Sequence, residues 1–450
     1  MSFAASSRFA AHAATLIACA SLLLGIPGCA SHADRVRQAR ETFFSGDVMA
    51  CTEQLQNQVS ALHSDRDVLE LDQAMAELFA GRPQESERKL RAVRDRFDDL
   101  EQKNAAEAAI SMLTDDNRRA YAGEDYEKVM IRVMLALSSL VGDGQDAEAY
   151  SLQISEKQQQ IIDAGATDGE TNPKLAYQRV AVGAYLHGML CEATHRNYDD
   201  TERSYAQVVE WQPDFVQGGW DLIRARQGTH SARGNGVLYV FAFVGRGPYK
   251  EAVSEIPTSE AMLIADRIIS MTADQSIPPT LAPIQVPQVV VSHNEVDQIQ
   301  IAVDGKPVGA TQTITNVGQL AVQQYQAIYP QVMARAVARR AIKKAAVYSA
   351  KSSLDTNPWV GLAFDAAGVA WEATESADTR CWALLPDRIQ VLRVELPAGE
   401  HRLAMRPANR QYIVGAETPA AIPIEDGRNT YVLACFPSAR LTGQVLVSRN

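Results

Sequence analysis

Three side chains that commonly bind transition metals, His187, Cys191 and His195, recur every four residues in one stretch of the sequence. On a helix, the outer two lie about 12 Å apart along the axis. Zinc holds its ligands at roughly 2.0 to 2.3 Å, so one ion cannot reach all three. Only a neighbouring pair joined by ligands from elsewhere could bind a metal, and ordinary packing explains these residues more simply. The sequence therefore predicts no metal site and no cofactor.

A second reactive position, Cys29, follows a stretch with the layout of a secretory signal. Arg8 precedes an apolar run from Ala13 to Ile26, as in a signal peptide. The run ends in Ile26-Pro27-Gly28-Cys29, which resembles a lipobox, although Pro27 departs from the usual residue at its position. We predict that residues 1–28 are a lipoprotein signal peptide and that Cys29 is the lipidated N-terminus. An ordinary cleaved signal peptide is the alternative.

The residue after this cysteine, Ala30, is not acidic. In the sorting pattern of Gram-negative lipoproteins this points to the outer membrane. Each buried methylene group of an acyl chain contributes about 0.8 kcal/mol, so several chains together form a nearly permanent anchor. We expect the chain to be lipid-anchored in the outer membrane and to face the periplasm.

The remaining candidate cysteines of the mature chain are Cys51, Cys191, Cys381 and Cys435. An oxidising periplasm permits disulfides, and four cysteines allow three pairings. A pairing within each half of the chain is geometrically simplest. The favoured disulfide joins Cys381 to Cys435, and buried free thiols are the alternative.

One predicted helix, from Gln319 to Ser349, is strongly basic in an otherwise acidic chain of net charge −11. Its candidate contact face consists of Arg335, Arg339, Arg340, Lys343 and Lys344. Such a face could bind anionic lipid headgroups, the acidic N-terminal half or another polyanion, whereas a solvated helix face is the simpler interpretation. The overall negative charge disfavours nucleic acid as a partner.

Catalytic motifs for phosphate binding, metalloproteolysis and serine hydrolysis are missing from the sequence. Gly245-Arg246-Gly247-Pro248 with Lys250 could bind an anion, but a turn at a strand end explains it more simply. Asp378, Thr379, Arg380 and His401 could gather, yet their spacing supports no pairing of a nucleophile with a base. The sequence therefore predicts that the protein is not an enzyme.

The N-terminal half, residues 29–227, has helical apolar spacing and few prolines. Gly46 and Gly81 end two amphipathic segments and lie 35 residues apart, close to the 34-residue period of tetratricopeptide repeats. We predict a tetratricopeptide-like helical solenoid. Its concave groove would bind a peptide or helix, or the helices would serve only as a scaffold.

The C-terminal half, residues 234–450, is predicted to be β-rich. The run from Val237 to Val244 is typical of a buried strand, and Asp304-Gly305 between alternating segments indicates a hairpin. The spacing predicts a small antiparallel sandwich, interrupted by a helical hairpin at about residues 319–375. The expected fold class is α+β.

Along nearly the whole mature chain, the sequence resembles an uncharacterised family of Gram-negative outer-membrane lipoproteins with a tetratricopeptide-repeat-like N-terminal half. The matching segments are Tyr126 to Met130, Leu135 to Leu137, Asn172-Pro173, Gly234 to Val244, Ala377 to Arg380 with Trp382, Leu384 and Pro386, and Leu396 to His401. The resemblance implies an architecture and a location but no activity.

The sequence favours a non-enzymatic envelope scaffold or adaptor that binds protein partners through the helical groove. The alternative is an activator or assembly factor for cell-wall synthesis or outer-membrane machinery, which rests on analogy of fold. An unrecognised hydrolase is the least favoured class.

Overall fold

Helices occupy the first half of the chain in the computed structural model, which describes residues 32–61, 65–111, 120–165, 172–272, 283–352 and 377–448. Residues 1–28 and Cys29 lie outside these ranges. The helices are α1 His32–Phe44, α2 Val48–Ala61, α3 Arg66–Phe79, α4 Pro83–Ser111, α5 Asp125–Val141, α6 Ala147–Asp163, α7 Ala181–Ala193, α8 Tyr198–Trp211 and α9 Val216–Arg226. Each helix packs against the next along the chain, so the first half is an array of paired helices.

Short turns join the two helices of each pair. Gly46 and Gly81 occupy the first two of these turns with φ of 101° and 82°, a left-handed conformation that glycine adopts without steric cost. A similar short connection precedes α8, which begins at Tyr198. Helix α4 is the longest of the array and continues to Ser111.

The second half contains two packed sheets and a strand pair. Its strands are β1 Asn235–Arg246, β2 Tyr249–Glu255, β3 Ile284–Val290, β4 Gln298–Val303, β5 Lys306–Ala310, β6 Gln312–Asn316, β7 Pro386–Pro397, β8 Gly399–Ala408, β9 Thr418–Ile424, β10 Asn429–Phe436 and β11 Thr442–Val447. The central sheet has the order β11-β10-β1-β7-β6, the outer sheet has the order β5-β4-β8-β9, and β2 pairs with β3. The α+β class is therefore confirmed.

The central sheet differs from the predicted antiparallel sandwich. Strand β1 pairs with β7 antiparallel but with β10 parallel, so this sheet is mixed. Strands β7 and β8, which follow each other with a turn at Ala398, belong to different sheets. The spacing of strands along the sequence carries no information about which sheet each strand joins.

The predicted hairpin at Asp304-Gly305 is confirmed. These two residues connect β4 to β5 with φ of 50° and 76°. Positive φ at both central positions defines the type I′ turn, whose twist matches that of the flanking strands.

Strand β1 is buried on both faces. Its aromatic residues Tyr239, Phe241 and Phe243 pack among the helices, whereas Leu238 and Val240 pack against the outer sheet. Because side chains alternate across a strand, one strand supplies two cores. The result is a three-layer arrangement of helices, central sheet and outer sheet.

Two further helices, α10 Ser259–Thr272 and α11 Val317–Ser352, pack together and against β3. They form a third apolar core with residues such as Ala265, Val286 and Val337. Helix α11 is the first helix of the predicted hairpin insertion. The second helix of that hairpin lies outside the described residues. Within the described part of the chain, no helix combines the length and apolar character needed to span a membrane.

Truncating Phe243 to alanine should lower the free energy of unfolding by about 3–5 kcal/mol. Phe243 is fully buried and its ring lies edge-on to that of Phe79, with centroids 5.6 Å apart, so the change leaves a cavity between sheet and helices. Equilibrium unfolding in guanidinium chloride measures the loss. The matched control is Tyr412→Ala, since Tyr412 is exposed; a comparable loss in both variants would contradict the proposed role of this contact.

Candidate functional site

The inner face of the helical array, where the sequence predicts a binding groove, is covered by the chain itself. Alternate helices contact the C-terminal strands: α3 contacts β11, α5 contacts β10 and α7 contacts β6. Residues 377–385, hereafter the inner segment, also pack there, with Trp382 fully buried. In the described part of the chain, this face is therefore occupied by the C-terminal half of the same chain.

Two buried carboxylates on the helices hold the inner segment. The backbone N–H of Trp382 donates to Oε1 of Glu127 at 2.7 Å, and that of Leu384 donates to Oδ1 of Asp72 at 2.9 Å. Asp72 and Glu127 lie on α3 and α5, among apolar side chains of the main core. Each carboxylate satisfies a backbone donor that would otherwise be buried without a partner, at a cost of about 1–3 kcal/mol.

Burial shifts the ionisation of both carboxyl groups. It raises the pKa of Asp72 to about 8, against the lowering effect of the Leu384 N–H and the Arg40 charge. It also raises the pKa of Glu127, and the nearby carboxylate of Glu124 adds to the effect. Such shifts occur at functional sites and in structural networks alike.

A cleft of about 260 Å³ opens beside the inner segment. Its charged lining residues include Lys250, which pairs with Glu124, and Arg380, which binds Asp378 at 2.7 Å. Burial opposes the charge on Lys250, but Glu124 and Asp378 outweigh it and raise the Lys250 pKa. The Lys250–Glu124 pair connects the two halves of the chain, whereas Arg380 and Asp378 pair within the inner segment.

The predicted basic face is only partly exposed. Arg335 is exposed and lines the cleft. Arg339 and Arg340 are buried, contrary to the expectation of a contact surface, and Arg340 donates to the carbonyl of Pro283 at 2.6 Å. This helix face packs inward because α11 lies against α10 and β3. The side chains of Lys343 and Lys344 lie outside the described residues.

The predicted disulfide between Cys381 and Cys435 is not formed. Cys51, Cys191, Cys381 and Cys435 are all buried free thiols. Cys435 lies in the middle layer, on β10, whereas Cys381 lies in the inner segment near Glu127 and Lys250. Each thiol is thus enclosed by its own packing environment, as in the alternative interpretation.

The His187, Cys191 and His195 series is divided by the end of α7. His195 follows the helix with φ of 57°, and its Nε2 lies 2.7 Å from the carbonyl of Gly427. His187 and Cys191 remain together, with Nε2 and Sγ 3.6 Å apart. The expectation that one ion cannot reach all three residues agrees with this geometry.

The remaining candidate residues, in the polar cluster and the Gly245 loop, make contacts within the protein. Arg380 and Asp378 pair, but His401 instead contacts Asp304 and the Pro397 carbonyl, each at 2.8 Å. In the Gly245 loop, the N–H of Gly247 donates to the Leu385 carbonyl at 2.9 Å. The loop is therefore packed against the end of the inner segment.

The helical array leaves an apolar stripe on its last helix, α9. Val216, Trp220 and Ile223 are 61%, 67% and 49% exposed and occupy positions i, i+4 and i+7, which share one helix face. Sequence periodicity alone gave no reason to select these three residues. Their spacing was visible in the sequence, but their exposure depends on α9 being the last helix to stack.

We expect the contribution of Asp72 to the free energy of unfolding to fall as the pH rises from about 4 to about 8. Its pKa is raised on folding, so the stabilising contribution is complete below the usual value near 3.8 and is lost as the pH passes about 8. Asp72→Asn keeps an acceptor for Leu384 and cannot ionise, so it should gain on the order of a few kcal/mol over the native chain at pH 8. Denaturant unfolding at pH 5 and pH 8 measures this.

The control for this measurement is Asp95→Asn, because the Asp95 side chain is 62% exposed. It should follow the native pH profile. Glu127 contributes a dependence of the same sign, so Asp72→Asn should reduce the slope without abolishing it. If the free energy of unfolding depended on pH identically in the native chain, Asp72→Asn and Asp95→Asn, the assignment of this dependence to Asp72 would be contradicted.

Comparison of the chain with protein-family models, with curated proteins and with solved structures finds no match. The lipoprotein resemblance of the sequence therefore stays a prediction. The features that bear on function are the chain's own: a covered inner face, a charged cleft and an exposed apolar stripe on α9.

Proposed function

We propose that this protein is a non-enzymatic adaptor of the cell envelope, tethered by lipid at Cys29, that binds a helix of a partner protein on the stripe of α9. The observation that carries the proposal is the exposure of Val216, Trp220 and Ile223 on one face of the last helix in the array. The binding surface differs from the predicted groove, which the chain itself covers.

Solenoids normally end in a helix with a polar outer face, because an apolar face there would remain in water. Here α8 covers one side of α9, and the opposite side presents the stripe. Burying a large apolar side chain contributes about 1.5–3 kcal/mol, and tryptophan is enriched among the residues that dominate binding energy. The stripe is therefore suited to one more helix.

Helix α9 is held rigidly in place. Arg224 donates to both carboxylate oxygens of the buried Glu192, at 2.6 and 3.0 Å, and to Asp221 at 2.6 Å. Gln217 connects the same helix to the sheet through the Arg393 carbonyl at 3.2 Å. A surface that is ordered before binding loses little conformational entropy when a partner docks.

Helix α1, which follows Cys29 closely in the sequence, and helix α9, which carries the stripe, are the first and last helices of the array. Cys29 precedes His32, the first residue of α1, by three positions, and three residues span at most about 11 Å. Lipidation at Cys29 would therefore hold α1 near the membrane, whereas α9 ends the array. This arrangement supports an adaptor that presents its binding surface away from its anchor.

We expect a photo-crosslinking amino acid placed at position 216, beside Trp220 on the stripe, to capture a reproducible partner in cells. The crosslinked peptide, identified by mass spectrometry, should have apolar residues at helical spacing. Trp220→Glu should abolish recovery of this partner without changing the melting temperature, since Trp220 is exposed. The matched control is position 412, where Tyr412 is similarly exposed on the β-rich half. Capture of the same proteins from both positions, or their retention by Trp220→Glu, would exclude the stripe as the docking site.

Replacement of Cys29 by alanine tests the tether. The variant should appear in the soluble periplasmic fraction and lose labelling by a fatty-acid probe, because the thiol that accepts the lipid is absent. Cys51→Ala, which removes a buried thiol, should keep both the membrane association and the label. Unchanged membrane retention and labelling of the Cys29 variant would refute lipidation.

A further inference from the structure

A cluster of three potential metal ligands lies between α6 and α7, away from the cleft and the stripe. Glu148 is on α6, and His187 and Cys191 are on α7. One ligand atom from each residue lies within 4.8 Å of the other two. We propose that Glu148, His187 and Cys191 bind a zinc ion, with water as the fourth ligand. This inference does not depend on the proposed adaptor function.

The separation of the two ligands on α7 suits a tetrahedral ion once the imidazole ring rotates, because Sγ of Cys191 now lies beside the ring, 3.9 Å from Nδ1 of His187. His187 Nε2 and Cys191 Sγ are 3.6 Å apart. Bonds of about 2.0 Å to nitrogen and about 2.3 Å to sulfur at a tetrahedral angle place these atoms roughly 3.5 Å apart. The carboxylate of Glu148 belongs to an exposed side chain, so it can adjust by the remaining ångström without moving the backbone.

The packing of the two helices explains why the third ligand comes from Glu148. Helices α6 and α7 approach closely at Gly183, where a Cβ atom would lie 2.6 Å from Cγ2 of Ile154. Glu148 lies six residues before Ile154, and His187 lies four residues after Gly183. At 1.5 Å per residue, antiparallel helices bring these positions to a similar height. The i, i+4 pair of α7 thus faces α6.

The electrostatic surroundings of the cluster favour a cation. Burial, and then the carboxylates of Glu148 and Asp200, raise the pKa of the Cys191 thiol to about 11, because a further negative charge is unfavourable there without a cation. Asp200 is paired with Arg203 in the first turn of α8. The mixture of nitrogen, sulfur and oxygen donors suits zinc, whereas magnesium and calcium prefer oxygen alone. Binding would displace the thiol proton and join two consecutive helix pairs.

Cobalt(II) binding to the purified full chain tests the proposal. Cobalt substitutes for zinc and gives a thiolate-to-metal absorption band and visible bands whose intensity identifies tetrahedral coordination. We expect one ion per chain, with the thiolate band present. Cys191→Ser should remove the band, and His187→Ala or Glu148→Gln should weaken binding by at least about 10-fold, the scale of losses at metal sites.

Matched controls separate the site from general effects. Cys51→Ser removes another buried thiol and His401→Gln another histidine; both should bind cobalt as the native chain does. Zinc should raise the melting temperature of the native chain but not that of Cys191→Ser, which also reports whether the variant folds. Absence of the thiolate band from the native chain, or its persistence in Cys191→Ser, would overturn the proposal.

Discussion

Both faces of strand β1 are buried, one by the helical array and the other by the outer sheet. Its aromatic side chains require the helical array on one side, and its aliphatic side chains require the outer sheet on the other. Either layer alone would leave a large apolar surface exposed on the central sheet. The helices are therefore as much a part of the core of the β-rich half as they are an array of their own, because one apolar cluster extends from Val36 to Leu446.

The inner segment adds directional hydrogen bonds to these apolar contacts. Apolar contacts tolerate sliding, but the bonds from Trp382 to Glu127 and from Leu384 to Asp72 fix one register of the segment on the helices. Buried charged or polar groups are costly unless they are paired, and their best-attested benefit is the choice of one arrangement among several. The C-terminal half covers the inner face of the array, whereas the apolar stripe on α9, at the end of the array, remains exposed.

Local patterns predicted the helices, the run of β1 and the Asp304-Gly305 turn, because each depends on neighbours in the sequence. The closure of the groove could not be predicted, since Asp72 and Leu384 are 312 positions apart. One signal was present: Asp72 interrupts an apolar helix face, and a carboxylate there needs a buried partner. The burial of Arg339 and the approach of Glu148 to His187 depend on how helices pack against each other, which helical periodicity does not specify.

The four cysteines in the described part of the chain are buried free thiols, so unfolding would expose them. Packing keeps them apart and shielded from oxidants as long as the chain is native. A chain that opens in an oxidising medium would expose all of them together, and thiolates then exchange into whichever disulfides form first. In such a medium these disulfides would hinder refolding, and the rate of unfolding would then set the lifetime of the protein.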